Sequence, residues 1–385
     1  MKWMFNILDV WRHEFFRSLK DEGVLVFFLI VPLLYPLLYA YLYNNEAVRE
    51  VPTVVVDNSH SSASREFLRN VDASGDVKII GHCADFLEAQ ELIRNHKAYC
   101  LIYVPDNFHK NILEGKQAIV ELYSDMSGLL YYKAVLSSCT EVSLAMNQDI
   151  KTQRLVGATK EQADAFAYPI KYEYVPLFNT QSGFATFIIP AVLIMIIQQT
   201  LLLGVGMLMG DEREKRQKGI LYGHLVERKP IEILLGKAAA YFGIYMLIAA
   251  YLICIPNFFG LIHIWQWKTL LAFMFPLVLD CVFFSMAIST FARDREVFIV
   301  LFVCMSVPLL FMSGISWPAT AIPSVWKALS YAFPSTFGIN GFVRITEMGA
   351  LIQDVQFELI ALWIQVFVFF AATWILYRKR YKNNE

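Results

Sequence analysis

The chain has 385 residues, of which 57% are hydrophobic and only 17% charged, with a formal net charge of −1. An average soluble protein carries about 25% charged residues, so the balance argues against a soluble enzyme. The near-zero charge and the lack of a basic tract exclude nucleic acid as a partner.

The first element in chain order is the segment "KWMFNILDVWRHEFFRSLK". Its Met4, Leu8, Trp11, Phe15 and Leu19 fall on one helical stripe, while Lys2, Asp9, Arg12, Arg17 and Lys20 lie off it or at its margins. Residues 1–22 therefore read as an amphipathic helix lying in the membrane interface, or as one packed on neighbouring loops. Residues 24–43 follow without a charge. A helix rises about 1.5 Å per residue, so roughly 20 apolar residues cross a hydrocarbon core of about 30 Å. The stretch is too long and aromatic for a cleaved signal peptide. It is the first span, 23–43.

Residues 44–178 read as an inserted α/β domain. "VPTVVVDNS" is a β-rich run ending in turn residues, and "SSASREFLRNVDA" has helical spacing behind a serine N-cap. "VKIIG", "ADFLEAQELIRNHKA", "YCLIYVP" and "AIVELYSD" continue the alternation, which favours a partly parallel sheet. A long helix over 128–156 and a strand "IKYEYVP" lead back to the membrane. The six cysteines, Cys83, Cys100, Cys139, Cys254, Cys281 and Cys304, form no C-x-x-C pair, which leaves zinc and thioredoxin-like chemistry unsupported. Three of them fall in this domain, where a Cys83–Cys100 bridge and free thiols both remain open.

Residues 179–385 hold the other apolar blocks. Stretches 176–210, 238–267, 297–326 and 359–377 are uncharged, and 269–292 carries one charge, Asp280. The expected fold class is an α-helical membrane protein with six transmembrane helices. Lys and Arg set the sidedness of short loops. Seventeen lie before the first span, in 211–237, at Arg293 and Arg295, and in the C-terminal tail. The opposite loops hold three, Lys268, Lys327 and Arg344. Both termini and the loop 211–235 are thus expected in the cytoplasm, and 44–178 outside it.

Catalytic signatures are missing. "HEFFR" at His13 lacks the second histidine of a zinc protease, there is no G-x-S-x-G elbow, and "LLGKAA" is not a phosphate-binding loop. Gly206 and Gly210 stand at G-x-x-x-G spacing, which suits close helix approach within the chain or between chains. Asp280 is the lone acid inside a span, where a carboxylate is expensive. With Gln198 and Gln199 it marks a candidate substrate pathway, or else it makes a structural hydrogen bond to one of those glutamines.

The stretch "DEREKRQKGILYGHLVERKPIEILLGKAAAY" resembles the cytoplasmic loop of ATP-binding-cassette exporter permeases of the type-two (ABC-2) branch. Glu212, Arg213, Glu214, Gly219, Pro230, Gly236 and Lys237 stand at the matching places, with Ile220 where that family typically has threonine. "MSGISWPATAIPSVWKALSYAFPSTFGINGFVRITEMG" resembles its segment between the last two spans through Ser313, Gly314, Pro318, Pro323, Trp326, Leu329, Pro334, Arg344 and Gly349. "AISTFARDREVF" also resembles that family, and the opening of the inserted domain, "VPTVVVDNSHSSASREFLR", looks like its drug-exporter subset.

The resemblance implies a permease subunit that is not itself an enzyme. It binds no cofactor or metal, and ATP and Mg sit on a separate ATPase subunit. Glu212, Arg213, Glu214, Lys215, Arg216, Gly219 and Pro230 would couple to that ATPase. Gly314, Pro318, Pro323, Pro334 and Arg344 would shape a re-entrant or outer hairpin over 313–350. A second permease chain completes the pathway, and a periplasmic adaptor and an outer-membrane channel are further candidate partners. The implied setting is the inner membrane and its lipid, and the implied cargo is hydrophobic or amphipathic. Physically, a solvated mixed-charge helix between two spans suits docking, with Glu212 paired to Lys215 or Arg216. A competing reading is a membrane-anchored sensor or scaffold that binds through the inserted domain. A proton-driven transporter is disfavoured by the single membrane acid.

Overall fold

The structure is a computed structural model that describes residues 2–43, 47–154, 159, 162, 175, 177–180, 183–218, 228–261, 264–291 and 295–381. It divides into two compact units, Ala47–Pro176 and the combination of Met1–Glu46 with Leu177–Glu385.

Unit Ala47–Pro176 is built on a four-stranded sheet of β1 (Val51–Asp57), β2 (Val77–His82), β3 (Cys100–Val104) and β4 (Glu121–Ser124), in the order β2-β1-β3-β4. β1 runs parallel to both β2 and β3, and β4 is antiparallel to β3. The near-continuous valines of β1 suit a central strand covered on both faces. Val51 and Val55 pack with Phe67, Val71 and Cys100 on one face, while Val54 and Val56 pack with Ala89 and Cys83 on the other. The crossover helices are Ser62–Asp72 and Phe86–Arg94, each with a side-chain N-cap, Ser61 and Asp85. A 26-residue helix, Leu129–Arg154, covers the Cys100 face through Val135 and Cys139. All six cysteines are free. Because Cys83 and Cys100 belong to opposite faces of the sheet, the bridge alternative is closed. Burial pushes the Cys100 thiol up to about 12 and that of Cys139 up to about 11. The expected strand at 170–176 lies, but for Val175, outside the described residues.

The other unit is helical. Five of its described helices are long and apolar enough to cross a membrane. The short α1 (Lys2–Lys20) precedes the first of them, α2 (Glu22–Leu42), which widens into a π-helical turn at Val26–Ile30. The others are α3 (Phe184–Gln217), α4 (Pro230–Phe258), α5 (Trp267–Ser289) and α9 (Gln356–Tyr381). Between α5 and α9 lie α6 (Val297–Met312), α7 (Ser324–Ser330) and α8 (Pro334–Thr346). The apolar block 297–326 is therefore not one helix. α6 has 16 residues, and the chain then turns through Gly314, whose φ of +87° is open to glycine but strained for other residues. Pro323 caps the start of α7, and Pro334 opens α8, where a missing N–H costs nothing.

α3 is the hub, buried over most of its length. Its glycines explain how neighbours come so close. A Cβ on Gly204 would lie 2.0 Å from the Phe28 ring, one on Gly206 would lie 2.2 Å from Phe298, and one on Gly210 would lie 2.9 Å from the Arg295 backbone. Gly206 and Gly210 thus serve close approach within the chain. α1 is turned inside out by soluble standards. It buries Val10, Glu14 and Ser18, while Met4 is 61% and Leu8 53% exposed.

Candidate functional site: a buried charge cluster at the terminal end of the helical unit

α3 has 34 residues, a rise of about 51 Å, so its last turns extend beyond the thickness of a hydrocarbon core. Those turns are the charged run 211–217, continuous with the apolar helix rather than a separate one. The charges are only partly solvated. Glu212 is 4% exposed and meets the ammonium of Lys237, which is 0% exposed on α4. Met209 Sδ lies 3.6 Å from the same ammonium. Asp211 pairs with Lys215 one turn on, at 3.1 Å, giving the run its i,i+4 support. The expectation that the whole run is solvated is corrected at Glu212, which is buried. Glu212 is drawn inward because two cations from other helices reach it.

The second cation is Arg17 of α1. Its guanidinium lies 2.9 Å from Asp211 Oδ2, 3.5 Å from Glu212 Oε2 and 3.6 Å from Glu14 Oε2, and it donates to the Leu208 carbonyl at 2.8 Å. Glu14 is itself fully buried, 3.9 Å from Lys237, and accepts a hydrogen bond from Tyr241 on α4. From α9, the Tyr377 hydroxyl meets Met209 Sδ at 3.4 Å and Arg380 donates to the Met209 carbonyl at 3.3 Å. Arg216 returns a bond to the Arg380 carbonyl at 3.0 Å. Four helices, α1, α3, α4 and α9, are joined at one place.

Around this centre α1 and α2 are fastened further. Asn6 donates to Glu232 at 3.0 Å, Arg228 meets Asp9 at 3.1 Å, and Arg295 pairs with Asp21, which also caps α2. The sequence sets up the close approach. A Cβ on Gly236 would fall 2.6 Å from Val10 and 2.9 Å from the Ile7 carbonyl, so only glycine lets α1 lie this near α4. α4 starts at Pro230, so Gly236 and Lys237 lie well inside it. Pulling α1 away would strand buried charges, each costing several kcal/mol in a low-dielectric interior. The ends of α1, α3 and α4 are therefore built to move together.

A family model of ABC-2 family transporter proteins matches residues 23–375. The chain belongs to the ABC-2 transporter family. It is accordingly a multi-pass membrane protein and the permease component of an ABC transporter, a family whose permeases imply an ABC ATPase partner. A comparison with curated proteins finds no match.

The other expected site residues of this ABC-2 chain are scattered. Arg213, Glu214, Lys215 and Arg216 are partly exposed on the last turns of α3, and Pro230 is the first residue of α4. Gly219 lies outside the described residues. Gly314 and Pro318 stand in the turns after α6, Pro323 and Pro334 start α7 and α8, and Arg344 pairs with Glu358 at 2.8 Å and with the Asp354 carbonyl at 2.7 Å. Asp280, Gln198 and Gln199 are all buried. The expected hydrogen bond from Asp280 to a glutamine is corrected. Among the described residues neither Asp280 oxygen has a partner, Gln198 accepts from the Ser335 N–H at 2.6 Å, and the Gln199 amide is unsatisfied. Sequence reasoning missed Glu14, Arg17, Lys237 and Tyr241 as a unit. Lys237, the one charge in the apolar run 233–258, was the signal the sequence carried.

Proposed function

We propose that the chain is the permease subunit of an ATP-driven exporter, with ATP and Mg bound by a separate ATPase subunit that docks on the partly exposed turns 213–218 and the chain around Pro230. The observation that carries this is the buried cluster of Glu14, Arg17, Glu212 and Lys237, which ties those turns to two other helices, α1 and α4. A push on the end of α3 is transmitted to α1 and α4 because separating them would unpair charges in the interior. The charge bias of the loops supports cytoplasmic termini and an extracytoplasmic position for Ala47–Pro176, in the inner membrane.

The exposed apolar stripe of α1 is suited to the membrane interface. α6 would be a sixth span, its 16 residues lengthened by the turns 313–322. The exposed apolar faces of α2, α6 and α9 are available to lipid and to a second permease chain. The cargo is hydrophobic or amphipathic, with the drug-exporter subset as the nearest pattern. An adaptor and outer-membrane channel would engage the extracytoplasmic unit.

The test is retention of the ATPase. Glu214→Lys with Lys218→Glu reverses two charges that are not part of the buried cluster, so folding should be spared. ATPase retention and cargo-stimulated hydrolysis should fall at least tenfold while the variant still reaches the membrane. Unchanged retention would remove the docking assignment.

A further inference from the structure

Within the helical unit four side chains from four helices hold unsatisfied polar atoms at one level. On α5, Leu277 and Phe284 flank Asp280 by about one turn on either side. Leu277 lies against Gly338 of α8, where Ile194 of α3 also meets it. Phe284 stacks edge-on with Phe333, just before α8, at 5.8 Å and with Phe369 of α9 at 5.2 Å, and Leu202 of α3 joins them. Between those two contact layers fall Gln198, midway from Ile194 to Leu202; Ser335, between Phe333 and Gly338; and Gln365, one turn before Phe369. The Ser335 N–H bond to Gln198 Oε1, 2.6 Å, fixes two of them together at the start of α8, a helix of 13 residues.

The layer is rich in acceptors. Gln365 donates its amide N–H to the Tyr331 carbonyl at 2.8 Å, which leaves its Oε1 facing no donor. Asp280 Oδ1 and Oδ2, Ser335 Oγ and Gln198 Nε2 also have no hydrogen-bond partner among the described residues. Asp280 and Gln198 are 0% exposed, and Ser335 is 1% exposed. In these four side chains the unsatisfied atoms are thus four oxygens and a single nitrogen donor, and Gln199, between the same layers on α3, adds an unsatisfied amide oxygen and nitrogen. No cation of these helices stands at this level. α3 is uncharged before Asp211, Lys268 is about 18 Å along α5 from Asp280, and Arg344, about 13 Å along α8 from Ser335, pairs with Glu358. A buried carboxyl inside a membrane bundle takes a partner, and among the described residues of these four helices the chain supplies no cation at this level.

We propose that Asp280, Gln365, Ser335 and Gln198 form the head-group site for a cationic amphiphile, a primary ammonium on an apolar chain; the assignment to cargo rests on the permease reading. An ammonium presents three N–H donors, matching Asp280, Gln365 Oε1 and Ser335 Oγ. Phe284, Phe333 and Phe369 form the aromatic layer beside it, suited to a cation and to hydrocarbon alike. Gln365 is held by its bond to the Tyr331 carbonyl with Oε1 free for the ammonium, while Gln198, its oxygen taken by the Ser335 N–H, presents Nε2 as a donor for the carboxylate side of the site.

The experiment uses the purified full-length chain in lipid nanodiscs at pH 7, with decylamine and its neutral counterpart decanol as probes and the thermal unfolding midpoint as readout. In the wild type, decylamine should stabilise at a concentration at least tenfold below decanol. Asp280→Asn should abolish that preference, and Gln365→Leu should reduce it. Equal action of the two probes on the wild type overturns the proposal without depending on any variant folding, as does an Asp280→Asn protein that keeps the preference. No ATPase is needed, so failure here leaves the permease reading standing, and failure of ATPase retention leaves this result standing.

Discussion

Replacing Lys237 by Met removes one charge from the middle of the buried cluster. Lys237 is 0% exposed and lies within 4 Å of two carboxylates, those of Glu212 and Glu14, which are 5% and 0% exposed at the side chain. With the ammonium gone, Arg17 alone of these partners faces both, from 3.5 and 3.6 Å. Breaking a buried pair from one side costs about 3–5 kcal/mol, because the other charge stays uncompensated. At about 1.4 kcal/mol per tenfold, the folded-to-unfolded ratio should fall at least a hundredfold. Methionine nearly preserves the volume, so a packing loss is a small part of this. The assay is unfolding of the purified chain in mixed micelles, followed by helical circular dichroism. Adding Glu212→Gln to Lys237→Met should recover part of the loss, with a coupling of about 1–3 kcal/mol. A single variant within about 1 kcal/mol of wild type, or a double variant whose losses simply add, would refute the reasoning.

Gly204→Leu drives a side chain into the Phe28 ring, 2.0 Å from the Cβ position, and should lower stability by more than about 1–3 kcal/mol in the same assay; a neutral result would mean that α2 can withdraw from α3. Burial holds the Cys139 thiol near 11, so at pH 8 its alkylation should be about 100-fold slower than that of an unfolded-chain thiol of pKa near 9, and Cys100, near 12, slower still. Both values are raised on folding. Their contribution to stability is therefore complete below about pH 9 and is lost as pH rises from there through 11 to 12, which pH-dependent melting of the chain should show. In intact cells, a membrane-impermeant maleimide should label Ser61→Cys and spare Lys218→Cys; the reverse pattern would invert the topology.

The apolar blocks were legible because a membrane span needs little more than length and hydropathy, and the helices at 184–217, 230–258, 267–289 and 356–381 follow from that alone. The break after Met312 was less so. Gly314, Pro318 and Pro323 announce turns, yet the block 297–326 is uncharged throughout and reads as continuous by hydropathy. The charged run 211–218 looked solvated because its density of charge is a surface pattern. What buries Glu212 is Arg17, 195 positions earlier, and Lys237, one helix later. Neither approach is visible in a local window. Asp280 was identifiable as costly, but the bond of the Gln198 oxygen to the Ser335 N–H depends on the register of α8, which no local window shows, and the free Gln198 Nε2 meets neither Asp280 oxygen.

The central claim is that an ATPase subunit works this permease through the end of α3. The direct measurement is purification of the tagged chain from its native membrane in mild detergent, with Mg-ATP hydrolysis assayed across the eluting complex and the co-eluting chains sequenced. The account predicts a co-eluting subunit with a phosphate-binding loop, hydrolysis that follows the permease peak, and loss of both with Glu214→Lys and Lys218→Glu. A monodisperse permease peak that carries no such subunit and no hydrolysis, from membranes in which the chain is abundant, would contradict it.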